Sequence, residues 1–286
     1  MYKGNCLCGA VSWQLLAEPF AIYNCHCKMC QRVHGTPFGT YRFVTSDQIH
    51  WTSSTDTIVE YRSSTVLTRA SCDVCGSVVP YAADGGSHWV APGGCHQDTL
   101  KSHYNIFVVD KPRWHTPPGG LPECNEYPDE SGIPSVEGRP ISEPIPGVCR
   151  GSCLCGSVEY HITQPLMTAY NCHCSRCRHG RAAAHASNGF VSIDGLKFIK
   201  GESDLKSYKV PDAKFFTQVF CGVCSSLMPR LDTERGIAIV PLGGLDDEPD
   251  LPPVSHIFVG SKANWHDITG DLPKHDGGPP ARSWRQ

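Results

Sequence analysis

Long hydrophobic runs are missing from this chain. None approaches the eighteen or so apolar residues that a membrane-spanning helix needs, so a bilayer is not an expected partner. Charge of one sign is scarce as well: 25 lysines and arginines stand against 28 acidic residues, for a formal net charge of −3. With no basic stripe interleaved with aromatics, nucleic acid is not expected either. No apolar leader follows Met1, which argues against a secretory route. Helix signals are few. What remains is a chain of 286 residues with 40% hydrophobic content, ordinary for a globular protein and long enough for two domains, each with its own core.

Cysteine, by contrast, is abundant and patterned. Of seventeen cysteines, fourteen fall into one pattern written twice. Cys6 and Cys8, then Cys25, Cys27 and Cys30 around His26, then Cys72 and Cys75 are followed in the same order by Cys153 and Cys155, then Cys172, Cys174 and Cys177 around His173, then Cys221 and Cys224. The interval is constant but for a two-residue slip before the last pair, which marks a duplicated domain. Disulfide frameworks belong to short secreted chains, so unpaired clustered thiols here point to a reducing compartment, with the cytosol as the expected location. Cys95, Cys124 and Cys149 have no counterparts in the other copy. Cys95 reads as a small buried apolar residue.

Seven cysteines per copy divide into four and three. Two residues apart on an extended segment, Cys6 and Cys8 point to one side, and the Cys72/Cys75 turn completes a tetrahedron of the kind zinc prefers. Cys153, Cys155, Cys221 and Cys224 repeat it. The compact Cys25, Cys27, Cys30 trio has no evident fourth protein ligand, and neither has Cys172, Cys174, Cys177. An open position is where a water or substrate atom reaches a metal. The alternative is closed structural sites with His26 and His173 as fourth ligands. Lys28 and Arg32 flank the first trio, and Arg176, Arg178 and Arg181 the second. They serve either to offset thiolate charge or merely as solvated surface.

At these residues the chain resembles the glutathione-dependent formaldehyde-activating enzyme family, which includes centromere protein V. The matching runs are Gly4–Gly9 with Val11, Asn24–Cys30 and Ser71–Gly76, then Gly151–Gly156, Asn171–Cys177 and Phe220–Cys224. Pro92–Gly94 against Leu242–Gly244 and Lys111–Trp114 against Lys262–Trp265 extend the likeness. The resemblance implies a β-tent-like fold, a structural zinc on the four cysteines and a catalytic zinc on Cys25, Cys27 and Cys30, hence up to four Zn²⁺ per chain. It also implies carbon–sulfur lyase chemistry on a small molecule, a glutathione or other thiol adduct of a carbonyl compound. The second copy departs at Ser225, where the first has Gly76, and over Arg178–Ala184, which makes the first trio the better catalytic candidate. Rival readings are a zinc-hydroxide hydrolase or dehydratase, and a non-catalytic zinc-stabilised interaction module.

The expected architecture is mainly β: two tandem zinc-binding domains over 1–116 and 148–286, joined by a Pro/Gly-rich linker over 117–147 that lets them pack as an intramolecular pseudo-dimer. Proline lacks a donor and fixes φ, so the linker sustains neither helix nor central strand. Val11, Trp13 and Leu15, like Val158, Tyr160 and Ile162, alternate with polar residues as a half-buried strand does. Val78–Ala82 and His88–Ala91 read as a hairpin, Ile106–Val109 and Ile257–Val259 as buried central strands, and short helical turns should follow Cys27 and Cys174. Trp114 and Trp265 should anchor each core. His34, His96, His115 and His266 read as surface or packing residues.

Overall fold

A computed structural model describes residues 1–83, 86, 88–128 and 138–279. Strands dominate, and the two halves repeat one topology. In the first, Tyr2–Asn5, Ser12–Leu15 and Ile49–Trp51 form a small antiparallel sheet. A six-stranded sheet runs in the order Glu123–Cys124, Tyr104–Ile106, Ala21–Cys25, Gly39–Thr45, His88–Pro92, Tyr81–Ala82. In the second half the corresponding sheets are Cys149–Ser152, Glu159–Ile162, Leu196–Lys200, and Lys274–His275, Ser255–Ile257, Thr168–Cys172, Ala186–Ser192, Ile237–Pro241, Arg230–Asp232.

The expected alternation is present. Trp13 and Leu15 are fully buried beside half-buried Ser12 and Gln14, and Tyr160 and Ile162 repeat this. The expected hairpin is realised only in part: Tyr81–Ala82 pairs with the strand His88–Pro92, while Val78–Val79 turns away to pair with Leu67–Cys72. Residues 84, 85 and 87 of its loop lie outside the described residues.

Two expectations need correcting. Ile106–Val109 is not a buried strand, because the chain leaves the sheet at Phe107, whose φ of 56° is left-handed, and Val109 is 71% exposed. Phe258 repeats the break with φ of 56°. Of the expected linker over 117–147, residues 129–137 lie outside the described residues. Glu123–Cys124 adds a parallel edge strand to Tyr104–Ile106, as Lys274–His275 does to Ser255–Ile257. A proline-rich segment can do this because an edge strand needs donors on one side only.

Among the described residues each half has one short α-helix, α1 (Lys28–His34) and α2 (Ser175–Arg181). α1 packs on the Leu242–Gly244 turn of the second half, and α2 on the Gly93–Cys95 turn of the first. The hairpin of Leu205–Lys209 and Thr217–Cys221 lies on the first half's Cys72/Cys75 turn: Gln218 Nε2 donates to the Cys75 carbonyl at 2.6 Å, and Lys206 Nζ meets Asp73 at 2.5 Å. Reciprocally, Tyr61 of the Ile58–Ser64 strand is held above the usual phenol range by burial and by the negative sulfurs of Cys155 and Cys224. Most buried apolar side chains of both halves belong to one continuous core.

Candidate functional site

All seventeen cysteines are free thiols, and the structure gathers fourteen of them into four groups whose sulfurs lie within 4.8 Å of one another: Cys6, Cys8, Cys72, Cys75; Cys153, Cys155, Cys221, Cys224; Cys25, Cys27, Cys30; and Cys172, Cys174, Cys177. Among the described residues these are the groups that could hold a metal ion.

The four-cysteine groups are built alike. Gly76 N–H donates to the Cys72 carbonyl at 2.8 Å and closes the turn with φ of 72°, and Ser225 does the same at Cys221 with φ of 57°. Glycine is required at the first position for a second reason, since a β-carbon there would lie 2.4 Å from the Phe220 ring. Ser77 Oγ accepts from Leu7 N, and Ser226 Oγ from Leu154 N, tying each turn to its facing cysteine pair. Cys6 and Cys8 sulfurs are 3.5 Å apart, and Cys155 and Cys221 sulfurs 3.8 Å. Tetrahedral zinc at ordinary zinc–sulfur lengths places sulfurs about 3.8 Å apart, so these residues fit the ion. Hydrogen bonding from Cys6 draws the Cys72 thiol down to about 7, favouring the thiolate that such a metal binds.

The three-cysteine groups sit where the sheets meet the helices. Cys25 ends the strand Ala21–Cys25, Cys27 caps α1 by accepting from Cys30 N–H at 3.5 Å, and Cys30 lies one turn in. Cys172, Cys174 and Cys177 follow the same path. Hydrogen bonds from Cys25 and Cys27 hold the Cys30 thiol well below the ordinary range, and the positive charge of Arg69 adds to this. Cys174 is drawn down to about 3 by Cys172 and Cys177. Three convergent sulfurs with one thiolate already favoured fit a soft divalent cation.

No fourth ligand comes from the intervening histidine. His26 is fully buried with its ring 5.2 Å from Phe38 and 5.4 Å from His115, and neither of its nitrogens makes a well-formed hydrogen bond among the described residues. His173 turns the same way, its Nε2 2.8 Å from His256 Nδ1. The rings of His185 and His266 complete this seam between the halves, His185 meeting Phe38 edge-on at 5.8 Å. His266 and His115 are thus packing residues of the junction, and His96 accepts from Trp13 Nε1 at 3.2 Å. Trp265 is buried in a small cluster with Phe38 of the first half, its Nε1 3.4 Å from the His96 carbonyl, whereas half-buried Trp114 packs against the main core.

All the flanking cations but Arg176 are placed differently from a solvated surface. Arg32 is buried and ion-paired with Asp246 of the second half at 2.6 Å. Arg178 Nε donates to the Ser261 carbonyl, Arg181 Nη2 to Asn188 Oδ1, Lys28 Nζ to Gln31 Oε1, and Arg176 is exposed.

Residues that the sequence did not single out lie closer. Arg69 Nη2 is 3.5 Å from Cys30 Sγ, its Nη1 donates to Tyr41 Oη at 2.9 Å, and Tyr41 Oη is itself 3.5 Å from Cys30 Sγ. Tyr127 lies beyond, edge-on to Phe107 at 5.1 Å, its phenol held well up by burial and by the sulfurs of Cys25, Cys30 and Cys27. Only alignment of the two copies could have flagged them, because the second has Asn188, Gln218 and Gly278 at these places.

The family model for the glutathione-dependent formaldehyde-activating enzyme matches residues 1–110 and again 148–261. The chain belongs to this family. An uncharacterized lyase of Schizosaccharomyces pombe is 28% identical over 117 residues, spanning 39% of this chain and 81% of its own. A crystal structure of a Rhodobacter sphaeroides protein is 22% identical and covers 35% of this chain and 91% of its own, with a TM-score of 0.29. The Schizosaccharomyces pombe relative thus matches about one copy's length of this chain. The two matches of the family model make the chain a member of this family in two tandem copies.

Proposed function

We propose that the protein is a zinc-dependent carbon–sulfur lyase acting on a thiol adduct of a carbonyl compound, with glutathione as the thiol to test first. The observation that carries this reading is the contrast between four-sulfur and three-sulfur groups within one chain: the first closes a tetrahedron and the second leaves a place for an incoming atom. Zinc held by Cys25, Cys27 and Cys30 would supply Lewis acidity that stabilises the substrate sulfur as thiolate.

In the reaction the carbon–sulfur bond of a hydroxyalkyl thioether breaks, its electron pair stays on sulfur, and the neighbouring hydroxyl loses its proton as the carbonyl forms. That proton returns to the released thiol, so nothing else is consumed. Burial of the trio excludes bulk water, which strengthens every charge interaction at the site. Arg69 offsets the negative sulfurs from one side and is fixed there by Tyr41. The first site is the better candidate because the second has Asn188 and Gln218 in place of these two residues.

Cross-packing of α1 and α2 fits an intramolecular pseudo-dimer of β-tent-like domains, and free thiols fit a reducing, cytoplasmic setting. No described helix is long and apolar enough to cross a membrane. Purified protein incubated with a preformed glutathione–aldehyde adduct should release aldehyde and free thiol together, and Cys27→Ser should stop this while far-ultraviolet circular dichroism stays unchanged. Release that proceeds equally on the oxygen analogue of the adduct would instead favour a hydrolase or dehydratase.

A further inference from the structure

Arg69 is a buried cation with no carboxylate partner among the described residues. It is 5% exposed, its Nε has no hydrogen-bond partner, and its two terminal nitrogens go to a phenol oxygen and a sulfur. A guanidinium in such surroundings is costly unless a negative group stands opposite, and the group opposite is Cys30 with Cys25 and Cys27 behind it.

The hydrogen bonds that hold Arg69 there can be assigned a direction. His34 Nδ1 is 2.6 Å from the Arg181 backbone carbonyl, which only accepts, so Nδ1 carries the proton and Nε2 is the acceptor. Tyr41 Oη, 2.6 Å from His34 Nε2, therefore donates to it, and its oxygen is left to accept from Arg69 Nη1. Each link of this chain pairs one donor with one acceptor. It begins on a carbonyl of the second half and ends on a sulfur of the first.

Among its described residues the second half has no such chain. Aligned on the cysteines, His34, Tyr41 and Arg69 correspond to Arg181, Asn188 and Gln218. Arg181 is spent on Asn188, and Gln218 Nε2 turns to the carbonyls of Cys75 and Gly180 at 2.6 and 2.9 Å. Arg178 and Arg181 place positive charge in the neighbourhood of Cys177, but their described hydrogen bonds go to Ser261 and Asn188.

We infer that Arg69 is a positioning residue that makes the first three-cysteine site, and not the second, the one that accepts an anionic fourth ligand. This rests on the proposed function. Three thiolates around a divalent ion leave one net negative charge, and an anionic ligand makes two, whereas a neutral ligand adds none. A fixed cation touching one of the sulfurs favours the anion selectively, and its N–H weakens the sulfur's donation, leaving the ion more electrophilic.

The test uses the full chain with cobalt in place of zinc, in a Cys177→Ala background that retains the first site and a Cys30→Ala background that retains the second. Each is titrated with 2-mercaptoethanol, an anionic ligand as its thiolate, and with imidazole, a neutral one, while the visible absorption of cobalt is followed. In the first background Arg69→Gln should weaken thiolate binding about tenfold or more and imidazole binding less than about twofold, with Arg69→Lys close to the parent. Tyr41→Phe, which keeps the ring and removes the clamp, should give a smaller loss of the same selectivity and decides the matter if Arg69→Gln does not fold. Equal losses for both ligands would reduce Arg69 to a structural residue, and no loss, or equal thiolate affinity at the two parent sites, would overturn the inference. Failure of both parent sites to take thiolate would instead remove the lyase reading on which it rests.

Discussion

Gly94 of the first half stands so close to Ala183 of the second that a β-carbon on it would lie 2.0 Å from the Ala183 amide nitrogen. Gly243 repeats the approach from the other side, at 2.4 Å from Thr36 N. Backbone meets backbone at both crossings, so no side chain can move aside to make room. Gly94→Ala and Gly243→Ala should each destabilise the protein by about 2–4 kcal/mol. Gly119→Ala, whose nearest neighbour would be Thr269 Cγ2 at 3.9 Å, should change little, and thermal denaturation compares the three.

Metal content separates folding from chemistry. Elemental analysis of protein purified without chelator should approach four zinc ions per chain, since each copy carries a four-sulfur and a three-sulfur group. Zinc bound by a closed cysteine set contributes on the order of 10 kcal/mol, comparable with the stability of a whole domain. Cys72→Ser should therefore leave little folded protein, and Cys27→Ser should fold with about three zinc ions. Loss of fold in both variants alike would contradict the division.

The seam between the halves makes stability depend on acid. Burial pushes His185 down to about 3 from 6.5, with the nearby His256 adding to it. Above pH 6.5 both folded and unfolded chains are neutral here, so the contribution is full. Below it the unfolded chain takes up a proton that the folded one declines, and stability falls by about 1.4 kcal/mol per pH unit until pH nears the folded value. His185→Phe, copying Phe38 at the matching place, should flatten this dependence. The gap in melting temperature between variant and parent should be wider at pH 5 than at pH 7.5.

Two contacts across the halves should rank in opposite order to their charge. Lys206 and Asp73 are both largely exposed, so Lys206→Ala should cost well under about 1 kcal/mol. Gln218→Ala leaves two buried carbonyls without their donor and should cost about 1–3 kcal/mol. Urea denaturation at fixed zinc measures both.

The sequence displays the duplication, the sheet-forming alternation of Trp13 and Leu15, and the grouping of fourteen cysteines, because metal-ligand spacing survives in linear form. It hides whatever depends on which half packs on which. The apolar pattern of the strand Thr217–Cys221 is the same whether Phe220 covers its own half or meets Gly76 of the other. Arg32 looks like a solvent charge in the sequence and is an ion pair across the halves in the structure. Tyr41 and Arg69 carry no signature within their own copy: a tyrosine and an arginine on strands are common, and their nearness to Cys30 arises only when two strands distant in sequence converge. Val109 misled because its apolar neighbours continue the strand pattern, while the left-handed Phe107 that breaks it is not a residue from which such a break is read.

The exchange of hairpins has a consequence for synthesis. The turn at Cys72 and Cys75 emerges from the ribosome well before Gln218 and Phe220, which cover it in the finished molecule. At ordinary elongation rates that delay is on the order of ten seconds. During it the turn of the nascent first half lacks its cover, so early capture of a metal ion by its cysteines would protect the growing polypeptide from thiol oxidation as well as stabilise the mature one.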